Sequence, residues 1–396
     1  MDGNACYRIP GPLASRTGAG AARNVTREKG DQHVTERWTE AAAQTWLSEH
    51  PWLMGCNFTP SNAINQLEMW QAETFDLATI ERELGLAASV GMNAVRVYLH
   101  DLMWVADREG FLERVDQFLA VADRFNIRTM LVIFDSCWHP EPALGPQPQP
   151  RPGVHNSGWV QSPGVPALSN PAEHPRLEEY VKGVVARFAN DRRVLAWDVW
   201  NEPDNGPEVA LADKAELQAK SDLVVPLLIK AFAWAREMAP IQPLTSGIWL
   251  GNWSRHEKLT ELQRAQTGNS DVITFHNYGT GKDFEKRIKH LKRLFGRPMM
   301  CTEFMARPAG STFQDILPIA RAHRVGAFCW GLVRGKTQTH LPWDKWKNPG
   351  LHPRADAWFH DVFEEDGVPH DPAEVEFLRL LAQIDEGDTA KRQRAA

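Results

Sequence analysis

The sequence has few cysteines and no paired cysteine motif. Its 396 residues include five Cys, at positions 6, 56, 137, 301 and 329, and no Cys-x-x-Cys spacing. This pattern argues against a disulfide framework and gives no support to a thiol redox motif or a zinc knuckle. An odd number of scattered thiols is typical of a reducing compartment, so we expect a cytoplasmic protein.

Long apolar runs and dense positive charge are also missing. No run of 18 or more apolar residues occurs, and residues 1–20 lack the basic and apolar regions of a signal peptide. The formal net charge is −6, and no Lys/Arg run is dense enough to follow a phosphate backbone. We therefore expect neither a membrane nor a nucleic acid as partner. Neither the charge nor the distribution of apolar residues indicates an oligomeric state.

Metal-binding and nucleotide-binding patterns are equally scarce. The sequence contains neither His-x-His nor His-Glu-x-x-His, so we expect no metal and no cofactor. The segment GLVRGKT at 331–337 is one residue shorter than a phosphate-binding loop and lacks its strand-to-helix context. It therefore does not predict a nucleotide site.

The chain instead alternates apolar segments with amphipathic ones. Hydrophobic residues make up 43% and charged residues 24%, which are values of a globular protein. The near-continuous apolar segments predict strands at 52–58, 93–99, 128–134, 194–200, 243–249, 271–278, 298–304 and 326–332. Helical patterns lie between them. After the first strand, for example, Leu77, Ile80 and Leu84 share one face, and Gly91 is a suitable C-cap.

Apolar strands separated by helices predict a parallel sheet that is covered on both faces. Eight such strands predict an α/β fold of the (β/α)8 TIM-barrel type. We expect one domain over about 38–390 with long loops after the strands. Residues 1–37 are aperiodic and rich in Ala, Gly and Arg, and we expect them to form a loosely ordered leader.

In a barrel of this type the active site lies at the carboxyl ends of the strands. The fourth predicted strand ends in Asn201-Glu202-Pro203, and the seventh contains Glu303 near its end. Because a proline disfavours the helical region for the residue before it, we expect Glu202 to stay extended and to project from the rim. Two glutamates on facing rims are the acid/base and nucleophile that glycosidic bond cleavage requires.

Other polar and aromatic residues fall at equivalent strand ends. These candidate substrate-binding residues are Arg96 on strand two, Trp138 and His139 after strand three, Asn201 at the end of strand four, His276 and Tyr278 on strand six, and Trp330 on strand eight. Of the 16 tryptophans, Trp197 and Trp234 fall inside a strand and a helix and are expected in the core. Five others lie on or near rim loops, where an indole can stack on a sugar ring or be part of the core: Trp104, Trp138, Trp249, Trp253 and Trp343.

The segment LAWDVWNEPD, residues 195–204, resembles the signature of glycoside hydrolase clan A, and within it family 5, the cellulase-like family. The resemblance covers about residues 50–335. It implies that Glu202 is the acid/base and that Glu303 is the nucleophile. It also implies that Asn201 binds the sugar 2-hydroxyl and that Trp330 forms the floor of the −1 subsite.

The resemblance assigns roles to three more residues. Tyr278 would hold Glu303, His276 would lie beside the acid/base, and Arg96 would keep the nucleophile charged. The sequence departs from the family at position 137, where members commonly have His and this chain has Cys. Either His139 takes that place or the −1 sugar is bound differently, which puts the substrate in question but not the reaction type.

These observations predict a retaining β-glycoside hydrolase that acts by double displacement on plant-type β-linked oligo- or polysaccharides. Two alternatives stay open: a carbohydrate-binding pseudo-enzyme on the same barrel, and a metal-dependent barrel hydrolase. The Pro-rich loop 139–171 and the Trp-rich segment 333–353 are long enough to close one end of a cleft. Closure would favour short oligosaccharides or exo-action. The sugar configuration is not indicated.

Overall fold

A computed structural model of the protein describes residues 36–205, 214–343 and 358–395. Eight parallel strands form one sheet in the order β5-β4-β3-β2-β1-β8-β7-β6. The strands are β1 (Met54–Asn57), β2 (Ala94–Tyr98), β3 (Arg128–Asp135), β4 (Val194–Asn201), β5 (Leu244–Thr245), β6 (Ile273–His276), β7 (Met299–Phe304) and β8 (Gly326–Trp330). Each predicted strand is present, and the predicted (β/α)8 barrel is confirmed.

The barrel closes between β5 and β6 through a short contact. Ile248 forms a bridge with Phe275, its N–H donates to Thr274 O at 3.1 Å, and its carbonyl accepts from the N–H of His276 at 3.0 Å. The predicted strand 243–249 is therefore reduced to two residues, because only Leu244 and Thr245 are in register with β4. An apolar pattern reports burial, and it does not report whether a partner strand is within hydrogen-bonding distance.

A helix follows every strand and covers the outside of the barrel. The described helices are α1 (Glu40–Ser48), α2 (Gln66–Trp70), α3 (Leu77–Ser89), α4 (Asp101–Arg124), α5 (Val165–Leu168), α6 (His174–Phe188), α7 (Lys214–Glu237), α8 (Glu261–Asn269), α9 (Gly281–Phe295), α10 (Phe313–Ala322) and α11 (Pro372–Ala395). Helices α2 and α5 are short additions within the loops after β1 and β3. None of the helices in these ranges is long and apolar enough to cross a membrane.

Helix α3 shows why the sequence pattern predicts these elements well. The side chain of Asp76 accepts hydrogen bonds from the N–H groups of Ala78 and Thr79, so the helix begins with a capped first turn. Ile80 and Leu84 are fully buried against the barrel. Gly91 follows the helix with φ of +80°, a conformation that glycine adopts without a steric penalty.

Helix α1 closes the amino-terminal end of the barrel. Its Ala43 and Trp46 pack in one cluster with Leu53, just before β1, and with strand residues that include Met130 and Phe328. This leaves the carboxyl ends of the strands as the accessible face, where the long loops gather. Of the predicted leader 1–37, residues 1–35 lie outside the described part of the chain.

Candidate active site

The carboxylates of Glu202 and Glu303 meet at the carboxyl ends of β4 and β7. Each residue is about 5% exposed. The Nδ1 atom of His276, at the end of β6, lies 2.6 Å from Glu202 Oε1 and 3.4 Å from Glu303 Oε2. One oxygen of each carboxylate and a ring nitrogen of His276 all lie within 4.8 Å of one another. The fold thus brings together two glutamates that are about 100 residues apart in the chain.

Three donors hold the carboxyl group of Glu303. Its Oε1 accepts from Arg96 Nη1 at 3.0 Å and from the hydroxyl of Tyr98 at 3.1 Å. Its Oε2 accepts from the hydroxyl of Tyr278 at 2.7 Å. These contacts fix both oxygens of Glu303 in place.

Arg96 links β4 and β7 from inside the barrel. Its fully buried guanidinium also donates to Asp198 Oδ2 at 2.7 Å, to Asn201 Oδ1 at 2.6 Å and to Asn57 Oδ1 at 2.8 Å. Burial by itself would lower the pKa of Arg96. The surrounding acidic groups, which include Asp198 and Glu303, more than offset this effect and raise the pKa. A permanent buried cation therefore lies beside Glu303.

Glu202 has different surroundings from Glu303. Burial raises the pKa of its carboxyl, and the nearby charge of Glu303 raises it further. Hydrogen bonds from His276 Nδ1 at 2.6 Å and from Asn205 Nδ2 at 2.6 Å oppose this shift without cancelling it. Glu202 and Glu303 are therefore neighbouring carboxyl groups with different hydrogen-bond partners.

His276 responds to both carboxylates. Burial would lower the pKa of its imidazole, but the charges of Glu303 and Glu202 and the hydrogen bond to Glu202 raise the pKa overall. The ring can therefore hold a proton between the two glutamates. Its Nδ1–H then orients the Glu202 carboxyl, as expected from its position at the end of β6.

The backbone of Glu202 differs from the sequence-based expectation. We expected an extended residue before Pro203, whereas Glu202 has φ of +41°, in the left-handed region that non-glycine residues rarely adopt. The chain turns at once, and the N–H of Asn205 donates to the carbonyl of Glu202 at 2.8 Å. Such strain persists where surrounding contacts impose it, and it occurs often at functional sites. Here His276 and Asn205 hold the carboxyl end of the same side chain.

Asn201 and Asp135 form the floor between β3 and β4. The amide Nδ2 of Asn201 donates to Asp135 Oδ1 at 2.9 Å, and its Oδ1 accepts from Arg96, so both ends of the amide are fixed. Asp135 also accepts from Trp159 Nε1 at 2.6 Å. Burial raises the pKa of Asp135 to about 6, in spite of these donors.

Cys137 lies against the carboxyl group of Glu202. Its Sγ is 3.5 Å from Glu202 Oε2 and 3.4 Å from Asn201 Nδ2. Burial raises the pKa of this thiol, as do the charges of Asp135 and Glu202, so it stays protonated and can donate to Glu202. The His139 ring instead lies 2.8 Å from the carbonyl of Ser157, within the same loop.

An aromatic cluster borders Glu303 on the side of β1, β2 and β8. Tyr98 and Trp159 are buried there, and Trp138 and Trp330 pack against them while staying partly exposed. Trp330 meets Tyr98 edge-on with ring centroids 5.8 Å apart. The positions of Trp138 and Trp330 are compatible with contact to a sugar ring, which remains a prediction.

The remaining tryptophans divide between core and rim. Trp197 and Trp234 are buried, as expected. Trp104 and Trp253 are also buried, at 7% and 2% exposure, so neither presents a free face to a sugar. Trp249 is partly exposed and donates to Asp204 Oδ1 at 2.6 Å.

Several residues of the site were not predicted from the sequence. Tyr98 follows Arg96 by two positions on β2, so both side chains point into the barrel, and this spacing was a usable signal. Asn205 follows Glu202 by three positions, but a polar residue after a strand does not by itself indicate its partner. Trp159 lies in the long loop after β3, and no local pattern places it beside Asp135.

Glu202, His276 and Glu303 offer one ligand atom each within 4.8 Å, a set whose composition and spacing would also suit a metal ion. The buried guanidinium of Arg96, at 3.0 Å from Glu303, already supplies a positive charge and would repel a divalent cation. His276 Nδ1 also lies at hydrogen-bonding distance from Glu202. The chemistry of these residues therefore fits proton transfer better than metal binding.

No family model matches the chain, and no curated protein matches its sequence. Solved structures do match its fold. A GH5_18 enzyme from Streptomyces cattleya, in complex with Manb1-4GlcNAc, is 14% identical with a TM-score of 0.53, over 85% of this chain and 80% of that one. The beta-mannanase from the blue mussel Mytilus edulis is 17% identical with a TM-score of 0.51, over 75% of this chain and 90% of that one.

A third similar structure is the exo-beta-1,4-mannosidase Op5Man5 from Opitutaceae bacterium strain TAV5. It is 18% identical with a TM-score of 0.52 over 89% of this chain, which spans 62% of the length of that enzyme. The fold expected from the resemblance to family 5 is thus confirmed by glycoside hydrolases of this kind. At these identities the likeness concerns the fold.

Proposed function

We propose that the protein is a retaining β-glycoside hydrolase with Glu303 as nucleophile and Glu202 as acid/base. The observation that carries the proposal is the close pair of carboxylates in unlike environments. Glu303 accepts from Arg96, Tyr98 and Tyr278, whereas burial and the charge of Glu303 raise the pKa of Glu202. The solved structures that share the fold are glycosidases, which supports the class of reaction.

The proposed reaction has two steps. Glu303 attacks the anomeric carbon while Glu202 protonates the leaving oxygen. Once the glycosyl ester forms, the charge of Glu303 is gone, so the pKa of Glu202 falls and it can take a proton from water. Water then attacks from the face that the leaving group vacated, and Glu303 is released.

The carboxylate spacing supports net retention of configuration. Retaining enzymes have their carboxyl groups about 5–5.5 Å apart and inverting ones about 6.5–9.5 Å. Here one oxygen of Glu202 and one oxygen of Glu303 approach within 4.8 Å of each other, a close approach that favours the shorter of the two spacings. We expect proton NMR of the first product, taken before mutarotation, to show the β-anomer from a β-glycoside. If the α-anomer is the first product, Glu303 is not the nucleophile and acts at most as a base that activates water.

The pseudo-enzyme and metal-hydrolase alternatives make different predictions in the same assay. A panel of aryl β-glycosides with gluco, manno, xylo and galacto configuration should include at least one substrate. Turnover that persists after treatment with a chelator would exclude the metal hydrolase. The names of the similar structures favour manno- and gluco-configured members of the panel.

We propose that the sugar at the non-reducing end of the substrate binds in the −1 subsite and that the cleft has no −2 subsite. A wall formed by residues 151–158 after β3 and 337–343 after β8 supports this proposal. The two segments are joined where Asn156 N–H donates to Thr337 O at 2.7 Å and where His155 Nδ1 lies 2.9 Å from Leu341 O. Trp343 continues the wall to Tyr278, with ring centroids 4.8 Å apart.

A small cavity lies where this wall meets Trp330. The cavity between Trp330, Trp159 and Thr337 measures about 20 Å³, the volume for one water and not for a sugar. On the opposite side, next to His276, lies a pocket of about 660 Å³. This asymmetry favours exo-action. Of the Trp-rich segment 333–353, residues 344–353 lie outside the described part.

Exo-action has a direct test with an oligosaccharide of four or five β-1,4-linked units. We expect the monosaccharide as the only early product, and we expect an O-methyl group on the terminal 4-hydroxyl to block hydrolysis. Early release of internal di- and trisaccharides would show that the wall does not close the cleft.

A further inference from the structure

The pocket of about 660 Å³ borders the catalytic pair on the side of Glu202. His276 and Tyr278, which bind Glu202 and Glu303, form one edge of it. Trp249 forms another edge and donates to Asp204, two residues after the acid/base. Because the acid must lie next to the oxygen that leaves, this side receives the leaving group. The pocket volume is within the range of small-molecule sites.

The outer wall of this pocket is a cationic face of α9. Lys286, Arg287 and His290 line it, together with one carboxylate, that of Asp283. Asp283 is engaged in the cap of α9, where its Oδ2 accepts from the hydroxyl of Thr280 at 2.9 Å. Burial lowers the pKa of His290, and the positive charges of Arg293, Lys286 and Arg287 lower it further, which indicates a positive field along this face.

Arg287 is the best-placed cation of the set. Its guanidinium lies 4.1 Å from the ring centroid of Trp253, a geometry that holds the planar group in a cation–π contact. Within the described ranges, no carboxylate oxygen lies within 4.0 Å of the charged nitrogens of Arg287 or Lys286. The adjacent Lys289, in contrast, is paired with Glu285 at 2.9 Å and does not line the pocket.

We propose that this pocket selects leaving groups that carry an anionic substituent, with Arg287 as the main specificity residue and Lys286 in support. The carboxylate or phosphate of a substituted aglycone is the chemistry that a fixed, unpaired guanidinium recognises. The overall charge of −6 argues against a non-specific attraction of anions as the source of such a preference. The inference rests on the proposed function for the identity of the pocket as an aglycone site.

The first test measures binding and does not need turnover. Ligand-observed NMR titration compares 4-hydroxybenzoate with the neutral 4-hydroxybenzamide. We expect the wild-type protein to bind the benzoate about tenfold more tightly, with a difference that shrinks as salt is added. Arg287→Gln should remove the preference, and Arg287→Lys should keep most of it.

The matched control is Lys289→Gln, which removes the same charge from the same helix outside the pocket. It should leave the preference unchanged. Equal affinity of the wild-type protein for the two compounds, binding of neither, or an equal loss in Arg287→Gln and Lys289→Gln would each overturn the inference.

The second test uses the β-glycosides of the same two phenols. The ratio of their kcat/KM values in the wild-type enzyme, divided by that ratio in Arg287→Gln, cancels the difference in leaving-group reactivity. We expect this quotient to be about ten, and a value of one overturns the inference. If neither glycoside is hydrolysed in any configuration while the NMR preference holds, the proposed function fails and the anion site stands.

Discussion

Replacement of Glu303 by Ala should lower kcat/KM for every glycoside by roughly 10⁴-fold or more, the scale seen when a nucleophile is removed. In the proposed reaction Glu303 forms the new bond, and the donors around it, Arg96, Tyr98 and Tyr278, cannot replace it. The space left by the side chain can admit a small anion. Azide or formate should therefore restore part of the rate, and azide should give a glycosyl azide of inverted configuration.

Glu374→Ala is the matched control for this variant. Glu374 is another buried glutamate paired with an arginine, at 2.5 Å from Arg307 Nη2, and it lies on α11 without a hydrogen bond to Glu202 or Glu303 among the described residues. It should change stability and leave the chemistry within a few-fold of wild type. Glu303→Ala with ordinary turnover, or without azide product, would remove Glu303 from the role of nucleophile.

Replacement of Glu202 by Ala should separate substrates by their leaving groups. A dinitrophenyl glycoside needs little acid assistance, so its glycosylation step should continue. An alkyl glycoside should lose on the order of 10²–10⁴-fold, the usual contribution of general acid–base catalysis. Steady-state and pre-steady-state rates on both substrates would measure this. Equal losses on the two would show that Glu202 does not protonate the leaving oxygen.

The pH profile gives an independent test of Glu202. Its pKa is raised by burial and then by the charge of Glu303, so the protonated acid persists above the pH at which an ordinary glutamate ionises. As the pH rises through this raised pKa, the acid is lost and kcat/KM on poor leaving groups should fall. In Glu202→Gln, the fall of kcat/KM at high pH should be absent for the dinitrophenyl substrate. If the fall persists in this variant, it belongs to another group such as His276.

The sequence was sufficient for the barrel because the signal is local and repeated. Each apolar strand and amphipathic helix carries its own pattern, as α3 shows from Asp76 to Gly91, and eight repetitions leave little freedom in topology. Strand β5 was overestimated because its pattern continues after the pairing with β4 ends at Thr245. The resemblance of residues 195–204 to a family signature then added the roles of the two glutamates.

Tertiary structure decided what depends on contacts between distant segments. The backbone of Glu202 is left-handed, although Pro203 favours an extended conformation for the residue before it. Hydrogen bonds from the backbone and the side chain of Asn205 to Glu202 stabilise the left-handed conformation. Likewise, Cys137 and His139 are both close in sequence to the end of β3, and only the path of the loop brings Cys137 to the acid/base.

The sequence alone therefore determined the fold class and the positions of the two glutamates, since strand periodicity and a short motif encode them directly. It did not determine the electrostatics of the pair, because the pKa of Glu202 depends on burial and on Glu303, a residue 101 positions away. Nor did it determine the shape of the cleft, with a wall on one side and the cationic face of α9 on the other. These features arise from loops and helices that meet only when the barrel closes.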